Sequence, residues 1–270
     1  MRTNPEINPT VASAPRSLIE HVEETVCSVL GIASTRHRSA MRDLKLTSDR
    51  DLVGQIFRKV AGNFERGNAA TNRERSLENW RWHRPQVRIA SHNSSPEVVL
   101  ERAIVAACGR TGRTDWANQV PVASGLIDGA ADGRRAVDLV RQCGERHFEL
   151  IELKIASDTP LYAAVEIIGY GCIWLLARRY PPSPKSAILE ADRIDLRVLA
   201  PAAYYARYDL TELESALDLG CRALGRDQGV MLTFAFHALD EQLVGSLTSD
   251  DDVLLAAVDN RASWRVGRSG

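Results

Sequence analysis

Between residues 134 and 155 two short apolar runs, each broken by charge, stand on either side of a polar turn. The first reads Arg134-Arg-Ala-Val-Asp-Leu-Val140 and the second Phe148-Glu-Leu-Ile-Glu-Leu-Lys-Ile155, with Gly144-Glu145 between them. Runs this short, joined by a glycine-containing turn, predict a hairpin of strands over Arg135–Arg141 and Phe148–Ile155. Side chains alternate faces along a strand, so Glu152 and Lys154 point the same way, while Asp138 sits inside the neighbouring strand. Burying two carboxylates and an ammonium is costly unless they pair or serve a ligand. Hard oxygen donors beside a cation suit a divalent ion acting on a phosphodiester.

The rest of the chain supplies the frame. Leu18, Val22, Val26 and Leu30 mark an amphipathic helix over 17–30, and residues 38–80 read as weakly patterned helix with Val53, Ile56, Phe57 and Val60 on one face. The polar connector Ala90-Ser-His-Asn-Ser-Ser-Pro96 is the candidate boundary. Ser95-Pro96-Glu97 then starts a helix whose face is Leu100, Ala103, Ile104 and Ala107. Gln119–Val122 is short and extended, and Thr159-Pro160 opens a long helix to about Ala177. A strand over 194–200, a helix over 210–224 and a final strand over 230–236 complete an α-β-β-β-α-β-α-β order. Hairpins early and crossovers late predict an α/β mixed sheet flanked by helices, preceded by a mainly helical N-terminal region. Two parts follow: residues 1–95, and a domain over 96–270.

The 270 residues carry a net charge of −1, with 44% apolar and 26% charged residues, as in an ordinary globular protein. Charge is segregated, however. Residues 36–88 hold thirteen Lys/Arg, eleven of them Arg, against six Asp/Glu. An arginine-rich stretch of this kind serves nucleic acid or assembly, or is simply a solvated helical surface. Trp80 and Trp82, among Arg81, Arg84 and Arg88, offer stacking faces or core packing. Five cysteines without a paired spacing, three of them (Cys108, Cys172, Cys221) in apolar stretches, read as reduced thiols. The six histidines have no zinc-type spacing. The expectation is a cytoplasmic chain with no membrane segment.

The element order, with Asp138 on one strand and Glu152-Leu153-Lys154 on the next, resembles the PD-(D/E)xK nuclease superfamily and its restriction-endonuclease-like fold, over roughly residues 96–236. Val137 stands where the family's signature has proline. Glu97 and Glu101, four apart upstream, resemble the additional helix glutamate of many members. Gln119-Val-Pro-Val122 is similar to the first core strand. Glu166-Ile-Ile-Gly-Tyr170 looks like the Gln-x-x-x-Tyr motif of the RecB-type branch, with glutamate replacing glutamine, a change that repels phosphate and suits anchoring Lys154 or a metal instead. The resemblance implies a magnesium-dependent nuclease, with manganese as an alternative ion and DNA as partner. Asp138, Glu152 and the Leu153 carbonyl would be metal ligands. Lys154 would orient the attacking water, and Glu101, or else Glu97, would assist. Gln119, Glu166 and Tyr170 would face the substrate. A catalytically inactive nucleic-acid-binding or scaffold module on the same fold is the alternative, and a homodimer is compatible with either.

Overall fold

A computed structural model describes residues 14–42, 44, 51–67, 79–82, 95–126, 135–181, 186–240 and 250–265. The helices α1 (Val22–Leu30), α2 (Arg38–Arg42), α3 (Leu52–Arg66) and α4 (Pro96–Thr111) come first. Strands β1 (Trp116–Pro121), β2 (Ala136–Gly144) and β3 (His147–Leu153) lead into helix α5 (Pro160–Arg179) and strand β4 (Arg193–Pro201). Helices α6 (Ala202–Tyr205) and α7 (Thr211–Asp227), strand β5 (Met231–Leu239), helix α8 (Asp251–Asp259) and strand β6 (Ala262–Ser263) follow.

The helix starts follow from local chemistry. Ser95 caps α4 by accepting from the Val98 amide at 3.3 Å, and Thr159 caps α5 by accepting from the Tyr162 amide at 3.2 Å, each with proline at the first turn. The helix expected from residue 17 begins only at Val22. Residues 17–20 are held instead by the segment after β1, where Ser17 bridges Gly125 and the Leu18 amide donates to the Ser124 carbonyl at 2.8 Å. The strand expected to close the chain is also not the last element: α8 follows β5, and β6 pairs with its edge. A two-residue strand carries no sequence periodicity, which is why β6 was not foreseen.

The six strands lie in the order β1-β2-β3-β4-β5-β6. The first three are antiparallel, β3, β4 and β5 are parallel, and β6 is antiparallel to β5. Parallel neighbours need crossovers, and α5 and α7 supply them. Both lie on one face of the sheet, and α4 and α8 cover the other, in a second apolar cluster with Leu139, Ile151, Leu153 and Leu199.

Helix α5 is apolar apart from Glu166, its tyrosines and the two arginines of its last turn, and is almost entirely buried. It is long and apolar enough to cross a bilayer by length and composition, but 89% of that stretch is buried inside the protein. A helix with so little polar surface needs cover on almost every side. The sheet covers one side, and α1 and α3 cover the other through Val22, Val26, Ile56 and Val60 in the same apolar cluster. The boundary expected in residues 90–96 falls mostly outside the described residues, and elements on both sides of it share this core. Trp80 is fully buried and Trp82 packs edge-on against Phe148 at 5.2 Å, so both tryptophans serve packing. Arg84 and Arg88 lie outside the described residues. Cys108, Cys172 and Cys221 are buried free thiols, as their apolar surroundings implied.

Candidate active site

The candidate residues gather where β3 ends and β2 bends. Regular pairing would set Asp138 opposite Gln119 on β1 and opposite Glu152 on β3, yet neither pair is made. Val137 and Val140 both pack on the α5 side, whereas Leu139 packs on the α4 side. Strict alternation would put 137 and 139 together, so β2 changes face at Asp138. β1 changes face at the same level. Asn118 reaches Glu101 on α4, whereas Val120 joins the α5-side cluster. The change occurs through Gln119, whose φ of 47° is left-handed, an uncommon state for a non-glycine residue. Two consecutive side chains can therefore meet one carboxylate: Asn118 Nδ2 and Gln119 Nε2 each donate to Glu101 at 2.9 Å.

Asp138 accepts from the Leu153 amide through Oδ2 at 2.9 Å. Burial pushes its carboxyl up to about 7; the charges of Glu101 and Glu166 add to this, and the Leu153 amide and Lys154 oppose it. Glu152, 4% exposed, is raised well above the ordinary carboxyl range by burial and then by the charges of Asp138 and Glu166. The charge of Asp138 reaches Glu152, and the Lys154 ammonium lies in the field of both carboxyls at the end of β3. Lys154 lies one residue beyond β3 and donates to Glu152 Oε1 at 2.7 Å and to Glu166 Oε2 at 3.4 Å. Burial alone would lower its value, but Glu152 and Glu166 hold the ammonium above its ordinary range.

Helix α5 supports this group. Its Glu166 also accepts from the Tyr170 hydroxyl at 3.2 Å and from Arg135 at 3.4 Å. Tyr170 is 3% exposed. The Glu166–Tyr170 pair thus sits behind Lys154, and Arg135, just ahead of β2, joins it. The Arg135 contact was not foreseen; an arginine preceding a strand that carries a buried acid was its only signal. Glu101, 2% exposed, is raised by burial against the pull of its two amide partners. Glu97 does something else. It accepts from the Ile155 amide at 3.2 Å and the Ser157 hydroxyl at 2.8 Å, pinning the loop that follows Lys154. Of the two helix glutamates, Glu101 is the one in the field of Asp138.

Asp138 uses Oδ2 for Leu153 and Glu152 uses Oε1 for Lys154, which leaves Oδ1 and Oε2 for an ion. Among the described residues no three His, Cys, Asp or Glu side chains stand close enough to hold a metal by themselves. Magnesium does not need three, because it commonly binds through one or two carboxylates plus waters and phosphate oxygens. Two raised carboxyls beside one ammonium are also an electrostatic environment that a cation relieves. The donor set fits a small hard ion.

A second charged cluster lies on the opposite face of the sheet. Asp195 is pulled down to about 2, against the burial that would raise it, by Arg193 and Arg197 with Thr233 and His147. Glu149 pairs with Arg261 and, at 3.7 Å, with Arg197. His147 is bonded to Asp195 at 2.8 Å. It opens β3, six residues and about 20 Å from Leu153, so it does not belong with Lys154. This network was legible in part, since Asp195 and Arg197 alternate with Ile194, Leu196 and Val198.

Of the expected residues, Asp138, Glu152, Lys154, Glu166 and Tyr170 come together, Glu101 and Gln119 form an adjoining pair, and Leu153 enters through its amide. No protein-family model, no curated protein and no solved structure matches the chain.

Proposed function

We propose that this protein is a metal-dependent nuclease with a restriction-endonuclease-like core, hydrolysing phosphodiester bonds of DNA. The observation that carries the reading is the group at the end of β3: the two raised carboxyls of Asp138 and Glu152, with the Lys154 ammonium 2.7 Å from Glu152. The α4-β1-β2-β3-α5-β4 order supports it, because it brings this group to the mouth of the parallel part of the sheet.

Asp138 and Glu152 would hold magnesium, or manganese in its place. When bound, the ion neutralises phosphate charge and lowers the pKa of a coordinated water. The chain's own groups do the rest. Lys154, fixed by Glu152 and Glu166, orients the attacking water and offsets charge building on the non-bridging oxygens. Water adds to phosphorus as the bond to the leaving oxygen breaks; the water's proton is released and the leaving oxygen takes one up, giving a phosphate monoester and a hydroxyl. Tyr170 and Arg135 keep Glu166 in place. Glu101, gripped by Asn118 and Gln119, adds its charge to the burial that raises Asp138.

The test is incubation of the purified chain with linear, circular and single-stranded DNA in magnesium, manganese or EDTA, beside Lys154→Ala. Cleavage with either metal, lost in EDTA and in the variant, is expected. No cleavage of any substrate, or equal cleavage by the variant, would overturn the reading. One observation favours a non-catalytic binder instead: Lys154 is 8% exposed and engaged by two carboxylates. Salt-sensitive DNA binding without cleavage would mark that outcome.

A further inference from the structure

Residues 35–38 lie against the loop that leads from Lys154 into α5. The Thr159 hydroxyl donates to the Thr35 carbonyl, both residues being fully buried. The Arg36 guanidinium lies 3.6 Å over the Tyr162 ring and pairs with Asp158 at 3.0 Å and Glu23 at 3.5 Å. These contacts join the N-terminal helices to the candidate site, and they bring Arg38, the first residue of α2, to its rim. There a surface cavity is lined by Arg38, Ile155, Asp158, Tyr204, Arg207 and Tyr208. Its wall therefore begins one residue after Lys154.

The cavity is electropositive. Its one acid, Asp158, is already paired with Arg36, whereas Arg38 and Arg207 are exposed and have no ion-pair partner among the described residues. Tyr204 stands between the cavity and the site. Its hydroxyl is buried without a hydrogen-bond partner among the described residues, within electrostatic reach of Lys154 and Glu152. Two cations around a solvent-open hollow, next to a group suited to phosphodiester chemistry, match an anionic group on the same ligand.

We propose that this cavity seats a phosphate of the nucleic-acid strand next to the scissile linkage, with Arg38 and Arg207 as its two counter-charges. The assignment rests on the nuclease reading for what the neighbouring group does, but not for the binding itself. Arg38 comes from the N-terminal helices and Arg207 from the turn after α6, so the strand would be gripped by both parts of the chain at once. Arginine offers a phosphate paired donors at such a point.

The experiment is fluorescence anisotropy with a labelled DNA oligonucleotide in EDTA, across a salt series, for the full chain, Arg38→Ala/Arg207→Ala and Arg38→Lys/Arg207→Lys. Both positions are exposed, and matching thermal melts check folding. The alanine pair should bind at least about tenfold more weakly, and its salt slope should fall by about 1. The lysine pair should keep the slope. Unchanged affinity and slope in the alanine pair, or no DNA binding by the full chain, would overturn the proposal. Cleavage assays separate it from the nuclease reading. A full chain that binds through these arginines but never cleaves keeps the seat and loses the nuclease. A chain that cleaves, with an alanine pair of unaltered KM, does the reverse.

Discussion

Asp138→Asn should make the metal-free protein more stable at pH 8. The carboxyl's ordinary value is 3.8 and it rests at about 7 here. The folded state therefore holds a proton that the unfolded chain has already released. For a raised carboxyl this lowers stability progressively as pH climbs from about 4 to about 7, after which the loss is constant. Full burial would make the penalty about 4 kcal/mol; because the residue is partly open to solvent, about 2–4 kcal/mol is expected at pH 8. Asparagine removes the titration yet keeps an oxygen to accept from the Leu153 amide at 2.9 Å. Urea unfolding followed by circular dichroism in EDTA should therefore show the variant ahead at pH 8 and within about 1 kcal/mol of the parent at pH 4.5. Magnesium should recover the difference for the parent, adding about 2.7 kcal/mol at a hundredfold excess over Kd, and should do much less for the variant. A variant no more stable than the parent at pH 8, or one equally favoured at both pH values, would refute the description of Asp138 as a half-buried acid whose raised pKa a cation would relieve.

Lys154→Met leaves the buried Glu152 carboxyl and the half-buried Glu166 without their ammonium, and should destabilise by about 3–5 kcal/mol at pH 8, less at pH 5 where Glu152, raised well above the ordinary carboxyl range, takes up a proton; chemical denaturation at the two values checks it. Gln119→Gly relieves the left-handed φ of 47° but removes a donor to Glu101, so stability should change by less than about 1 kcal/mol while cleavage falls, a split read from unfolding and turnover on one preparation. Gly225→Ala brings a methyl to 2.8 Å from the Leu232 backbone nitrogen, where α7 meets β5, and should lower stability by about 1–3 kcal/mol in the same unfolding assay. Arg261→Leu leaves Glu149 on the far face of the sheet with Arg197 at 3.7 Å in place of its closer partner, and should cost about 3 kcal/mol without changing kcat, a pair of readouts that separates the two charged clusters.

What could be read from sequence was whatever leaves a periodic or capping trace. Ser95 and Thr159 announced their helices because each is a capping hydroxyl before proline and an apolar helical run, and the hairpin followed from apolar runs around Gly144-Glu145. Asp138, Glu152 and Lys154 stood out as charges inside strands that had to be buried. What did not show was anything depending on one dihedral angle or on distant chain. Glutamine is not a residue that signals a left-handed turn, so the change of face at Gln119, which lets Glu101 collect two amides, left no mark. For Glu166 the sequence left three roles open, toward substrate, metal or Lys154, and only the fold brings it to the ammonium. Arg36 and Arg38 lie more than a hundred residues from the loop they adjoin, and only the packing of α1 and α3 over α5 brings them there.

The near-complete burial of α5 has a practical corollary for anyone dissecting the protein. A fragment starting at Pro96 would strip Val22, Val26, Ile56 and Val60 from the apolar face of α5 that they cover. Such a fragment should aggregate or recruit detergent rather than work as a minimal enzyme. The amino-terminal helices are in that sense the missing fourth wall of the sheet domain, and shortening the chain from that end trades solubility before it trades chemistry.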